Sequence, residues 1–269
     1  MGSSKITLLV ADDSRIVHRT FASAVTTWPN PVVILTAYDG RQCIAACERH
    51  AVDVAFIDVD MPEMDGLEAI TRLRYRGNRT FITLISGIGS DARLQLARHL
   101  RIYEFLHKPF VVADIHRILR VHQRINLPTR VLIVDDSATV RKMVKKVLAG
   151  SMFSLKIEEA STGAHALSMC ESGFFDIVFL DCNMPGLDGF ETLAQLLRRN
   201  ADAKVVMMSG QADETKAARS HELGALDFLA KPFYPRDIDR VLHLAYAIAP
   251  PILTDSAAPA LADLPPLPA

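Results

Sequence analysis

One stretch of this chain occurs twice, 123 residues apart: Phe56-Ile57-Asp58-Val59-Asp60-Met61-Pro62-Glu63-Met64-Asp65-Gly66, then Phe179-Leu180-Asp181-Cys182-Asn183-Met184-Pro185-Gly186-Leu187-Asp188-Gly189. In each, a short apolar run ends abruptly in a carboxylate, and proline and glycine follow. That pattern predicts a buried strand with Asp58 or Asp181 at its C-terminal tip and a turn beyond it. The offset extends far outside these stretches. Asp12 recurs as Asp135, Asp13 as Asp136, Gly40 as Gly163, Ser86 as Ser209, Lys108 as Lys231 and Phe110 as Phe233, all at the same spacing. A register held across that length is an internal duplication, so the chain must fold as two copies of one unit.

Within the first copy, short β-branched runs alternate with segments of helical apolar spacing. Strands are expected at Ile6–Val10, Val32–Ala37, Val54–Ile57, Phe81–Ile85 and Tyr103–Leu106. Helices are expected over Arg15–Thr27 (with Ser14 as its cap), Gly40–Arg49, Leu67–Arg76, Asp91–Leu100 and Val112–Arg124. Five such βα pairs give an α/β fold, a doubly wound five-stranded parallel sheet with helices on both faces. The expected boundaries are 1–125 and 130–249 for the two domains, 126–129 for a short linker, and 250–269 for a flexible tail rich in proline and alanine.

In a parallel sheet, ligands bind beyond the carboxyl ends of the strands. Asp12, Asp13, Asp58, Ser86 and Lys108 are expected there in the first copy, and Asp135, Asp136, Asp181, Ser209 and Lys231 in the second. Each close pair of carboxylates costs about 4 kcal/mol at 4 Å and an effective dielectric near 20. One lysine cannot offset that, so a bound cation is implied, and oxygen-only ligands favour Mg²⁺ (or Mn²⁺). A free carboxylate beside a metal, a lysine and a hydroxyl suits capture of a phosphoryl group. No His or Glu is placed to activate water, so the acyl phosphate is expected to persist, as in a switch rather than a hydrolytic enzyme.

Taken together, Asp-Asp, Asp-x-x-Met-Pro-x-x-Asp-Gly, Ser-Gly and Lys-Pro-Phe at successive strand ends resemble the receiver domains of bacterial two-component response regulators, of the flavodoxin-like, CheY-like type. The resemblance covers nearly all of Ile6 to Ile248. It implies that Asp58 and Asp181 accept phosphate from a sensor histidine kinase or phosphotransfer protein. It also implies that Asp13 and Asp136 ligate the metal with the main chain of Asp60 and Asn183, while Asp12 and Asp135 act through water. Ser86 with Phe105, and Ser209 with Phe228, would be the switch pairs. Both aromatics depart from the family's tyrosine, and Asp60 adds an acid where Asn183 is neutral, so the two sites are expected to differ in phosphate lifetime. Arg101 stands where the second copy has Gly224, at an expected helix C-cap.

Other classes fit less well. A net charge of −1 and the lack of a basic segment outside the two copies argue against direct DNA binding. No apolar run is long enough to span a membrane and no charged-then-apolar leader opens the chain, so a cytoplasmic location is expected. The four cysteines show no metal spacing and are read as reduced, small apolar residues. Asp58-Val59-Asp60 resembles the Asp-x-Asp of haloacid-dehalogenase-type phosphatases, but Asn183 breaks that motif in the second copy. The expectation is a tandem receiver without an output domain that signals through protein contacts or drains phosphate, with a homodimer through outer helices as a further expectation. An alternative keeps one copy for phosphate and the other for dimerisation or docking.

Overall fold

A computed structural model describes residues 5–87, 100–210 and 214–248. The expected helix over 91–100 of the first copy, apart from Leu100, and the tail from 250 lie outside the described residues. The chain divides into two compact units, one ending at His122 and the next beginning at Gln123.

In the first unit, β1 (Ile6–Ala11), β2 (Val32–Ala37), β3 (Val54–Asp58), β4 (Phe81–Ser86) and β5 (Glu104–His107) form one parallel sheet in the order β2-β1-β3-β4-β5. The helices described are α1 (Arg15–Thr26), α2 (Gly40–Arg49), α3 (Gly66–Tyr75) and α4 (Val112–Asn126). Side-chain alternation along the strands feeds two cores. Leu9, Ala11, Ala55 and Ile57 pack with Cys43, Ile44, Ile70 and Leu73 of α2 and α3. Leu8, Val10, Val54 and Phe56 pack on the other face with Val17 and Phe21 of α1 and Ile115, Ile118 and Leu119 of α4. Strands buried on both faces explain why they read as continuous apolar runs.

The second unit repeats the plan with β6 (Thr129–Val134), β7 (Leu155–Ala160), β8 (Ile177–Asp181), β9 (Lys204–Ser209) and β10 (Asp227–Ala230), ordered β10-β9-β8-β6-β7. Its described helices are α5 (Ala138–Leu148), α6 (Gly163–Ser172), α7 (Gly189–Arg199), α8 (Glu214–Glu222) and α9 (Pro235–Ala245). Both sheets have the flavodoxin-like order, in which the order of strand addition reverses beside the first strand and opens a crevice above it.

Several expectations shift in detail. Asn126 still belongs to α4 and Thr129 already belongs to β6, so only Leu127 and Pro128 lie between elements. Strand β5 begins one residue later than expected. Ser14 occupies the N-cap of α1 but makes no side-chain cap bond. Its amide donates to Asp12 Oδ1 at 2.8 Å, as the Ser137 amide does to Asp135 Oδ1 at 2.9 Å. In the second unit Ser137 does cap, accepting from Val140 N at 3.4 Å. Arg101 has φ 50 and Gly224 has φ 92, so both copies use left-handed backbone there despite the missing glycine.

Candidate functional site: acids and a lysine at the strand tips

Asp12 follows β1 and Asp58 ends β3. Because Ala11 pairs with Ile57 in the β1–β3 register, the two acids emerge side by side. Val134 pairs with Leu180 in the second sheet, which sets Asp135 beside Asp181 in the same way. The turn after each strand is held by its own motif. Asp65 caps α3 by accepting from Glu68 N at 2.7 Å, and Asp188 caps α7 by accepting from Glu191 N at 2.8 Å. The last acid of each motif therefore builds the helix start rather than the site. The Lys108–Pro109 and Lys231–Pro232 peptides are both cis.

Asp12, Asp58 and Ser86 are buried, Asp13 is exposed, and Lys108 is partly covered. Lys108 donates to Asp58 Oδ2 at 3.0 Å. It also lies 2.9 Å from Asp12 Oδ2, a charge contact that leaves this buried oxygen without an aligned hydrogen bond. Burial raises the pKa of Asp58, the Lys108 contact opposes this, and the charges of Asp12 and Asp60 add to the rise. For Lys108, burial disfavours the charge but its contacts with Asp12 and Asp58 outweigh it, and the pKa is raised. Oxygens of Asp12, Asp13 and Asp58 all lie within 4.8 Å of one another.

In the second unit, Lys231 donates to Asp135 Oδ2 at 2.6 Å and to Asp181 Oδ1 at 2.7 Å. Burial again opposes the lysine charge and these contacts prevail, raising its pKa. Ser209 is fully buried. Asp136 is exposed, and among the described residues Asp135, Asp136 and Asp181 do not gather as closely as the first trio. Asn183 N donates to Asp181 Oδ2 at 2.9 Å, and its side-chain oxygen accepts from Lys216 at 3.4 Å. Asp60, its counterpart, is exposed and acts on Asp58 through charge. Phe105 is buried against the core, whereas Phe228 is only half-buried.

The sequence reading missed two supports at equivalent positions. His18 Nε2 lies 2.7 Å from the carbonyl oxygen of Asp12. Arg141 donates to the carbonyls of Asp135 at 2.8 Å and Asp136 at 3.3 Å, and to Glu159 at 3.2 Å. Each pins the backbone that carries the acids. The constant offset could have flagged the pair, since both fall one turn into the first helix of their copy.

A family model described as the response regulator receiver domain matches residues 8–120 and 131–243. The chain belongs to the response regulator receiver family, twice over. It is 38% identical over 114 residues to the chemotaxis protein CheY of Listeria monocytogenes, covering 42% of this chain and 92% of that one. It is also 34% identical over 119 residues to the cyclic di-GMP phosphodiesterase response regulator RpfG of Xanthomonas campestris, covering 43% of this chain and 31% of that one. A solved structure of a two-component system response regulator/GGDEF domain protein covers 90% of this chain and 99% of its own, with TM-score 0.58 and 23% identity, a likeness of fold. Both receivers carry the acids and lysine in place, and no described helix is long and apolar enough to cross a membrane.

Proposed function

We propose that Asp58 and Asp181 are phosphoacceptors that take a phosphoryl group from a sensor histidine kinase or a phosphotransfer protein. The observation that carries this reading is the bridge from Lys108 to Asp12 and Asp58 at buried strand tips, repeated by Lys231 with Asp135 and Asp181. A carboxylate oxygen of Asp58 attacks phosphorus, the bond to the donor's imidazole nitrogen breaks, and that nitrogen keeps the electron pair. The ammonium of Lys108 stabilises a phosphoryl oxygen, and the Ser86 hydroxyl donates to another. Lys231 and Ser209 serve Asp181 alike.

The donor set suits Mg²⁺ or Mn²⁺, since it is all oxygen and includes a buried Asp12 oxygen without an aligned donor. Asp12, Asp13, Asp58 and the main chain of Asp60 would hold the ion in the first domain, and Asp135, Asp136, Asp181 and the main chain of Asn183 in the second. When bound, it neutralises the acids and the incoming phosphate charge. The output follows from changed protein contacts or from removing phosphate from a pathway, without turnover of a substrate. Self-association through outer helices, a cytoplasmic location and no direct contact with DNA complete the reading.

The test is incorporation of labelled phosphate from acetyl phosphate and from a cognate kinase with Mg²⁺ present, using Asp58→Asn, Asp181→Asn and the double variant. Label lost only in the double variant supports two acceptors, and absence of label from the parent chain overturns the proposal. A second reading has the first domain accept phosphate while the second serves for docking. It is favoured by the closer gathering of carboxylates at Asp12, Asp13 and Asp58, and predicts that Asp58→Asn alone abolishes labelling.

A further inference from the structure

The end of β5 differs between the copies. His107 precedes Lys108, where Ala230 precedes Lys231. In the β4–β5 register His107 is paired with Ser86, the hydroxyl donor assigned above. His107 Nδ1 lies 3.4 Å from Ser86 Oγ and 3.4 Å from the carbonyl oxygen of Gly87. Two residues back along the strand, on the same side, Phe105 stacks its ring on the imidazole with centroids 6.3 Å apart and an 11° angle between planes.

A neutral Nδ1 can serve only one of these neighbours well. Carrying the lone pair, it accepts from the Ser86 hydroxyl; carrying the proton, it donates to the Gly87 carbonyl. The first arrangement leaves the hydroxyl committed to His107 and away from the phosphoryl site. Phe105 has no hydroxyl of its own, so the imidazole is the polar group that joins this aromatic side chain to Ser86. Ala230 can make neither contact, and Phe228 is less buried than Phe105.

We propose that His107 is a positioning residue of the first domain. It accepts the Ser86 hydroxyl in the unphosphorylated protein, so that transfer of this hydrogen bond to a phosphoryl oxygen and movement of the Phe105 ring are one event. The second domain lacks this coupling. The inference rests on the phosphoacceptor reading of Asp58 for its consequence but not for its contact.

The contact is read by ¹⁵N spectroscopy of the full chain at pH 8. His107 is expected as the Nε2–H tautomer, reverting toward Nδ1–H in Ser86→Ala; a predominant Nδ1–H tautomer in the parent overturns the proposal. The consequence is read in Asp181→Asn protein labelled from acetyl phosphate with Mg²⁺. His107→Ala is expected to raise the labelling rate of Asp58 about fivefold, the scale of one side-chain hydrogen bond, and His107→Asn less. The gain must vanish when Ser86 is already alanine. An unchanged rate, or an equal change in the Ser86→Ala background, overturns the coupling, since a merely structural role would act in both backgrounds. If the Asp181→Asn protein takes no label at all, the phosphoacceptor reading of Asp58 fails, while the tautomer still decides the contact.

Discussion

Gly66 packs its backbone against the main-chain carbonyl of Asp58 so tightly that a Cβ would sit 2.0 Å from that oxygen. Gly189 meets Asp181 in the same way, at 2.1 Å. The final glycine of each motif therefore sets the backbone that aims the acid. Ala at either position must push the strand tip or the helix start aside. Gly66→Ala and Gly189→Ala are each expected to destabilise their own domain by about 3 kcal/mol, read by chemical denaturation of the full chain. A loss under about 0.5 kcal/mol would show that the turn yields freely.

Arg74 is a buried cation answered by carbonyls. It donates to Leu100 at 2.7 Å, Asn78 at 2.9 Å, Thr80 at 3.1 Å and Arg101 at 3.3 Å, and burial lowers its pKa to about 10. The second domain has Leu197 at this position, close beneath Gly224. Arg74→Leu strands these oxygens and is expected to cost about 3 kcal/mol. Adding Arg101→Gly relieves the left-handed backbone and should recover about 1 kcal/mol. Equal stability of the single and double variants would refute the link.

Asp239 is buried in α9 and accepts from Ser151 Oγ at 2.5 Å and Met152 N at 3.1 Å. Burial pushes its pKa up to about 6, against the lowering by those two donors. The folded value stands above the unfolded one, so the fold favours the protonated acid. This contribution is fully present below about pH 4 and is lost as pH rises through 6, a change of about 3 kcal/mol. Buried His243 works in the opposite sense, because its pKa is lowered by burial. Comparison with Asp239→Asn separates the two: the variant should gain about 3 kcal/mol relative to the parent between pH 4 and pH 7. Parallel stability curves would contradict this.

Asp13 is exposed beside two buried acids. With Mg²⁺ at tenfold its Kd, the first domain should gain about 1.4 kcal/mol of stability. Asp13→Asn should abolish that gain. Without metal, the variant should be no less stable than the parent, since one repulsion is removed. Calorimetric melting with and without Mg²⁺ checks both statements, and an Mg²⁺ response that survives the substitution would argue against the assigned ligands.

The duplication and the apolar runs made both sheets legible, because strands buried on two faces carry their own signal. Burial of Asp58 and Asp181 at strand tips followed from the same pattern. What the sequence hid were contacts between distant parts of the chain: Arg74 reaching the carbonyl of Leu100, and His18 and Arg141 reaching main-chain oxygens beside the acids. Backbone carbonyls have no letter in a sequence, so their partners are invisible there. Ser14 stands at the expected cap position without making the bond, whereas Ser137 makes it, although the amides of both serines donate to the neighbouring acid, so nothing in the structure explains the difference. Arg101 was flagged by its mismatch with Gly224, yet the buried guanidinium behind it was not.

Lys108 follows β5, the rim of its sheet, yet its ammonium meets the acid that ends β3 and the acid that follows β1, two and three places inward. One flexible side chain thus ties the outermost ribbon to the middle of the domain. Any group that took over the charge of Asp58 would alter the tension in that tie, so the margin of the sheet would feel the proposed phosphoryl capture at its centre.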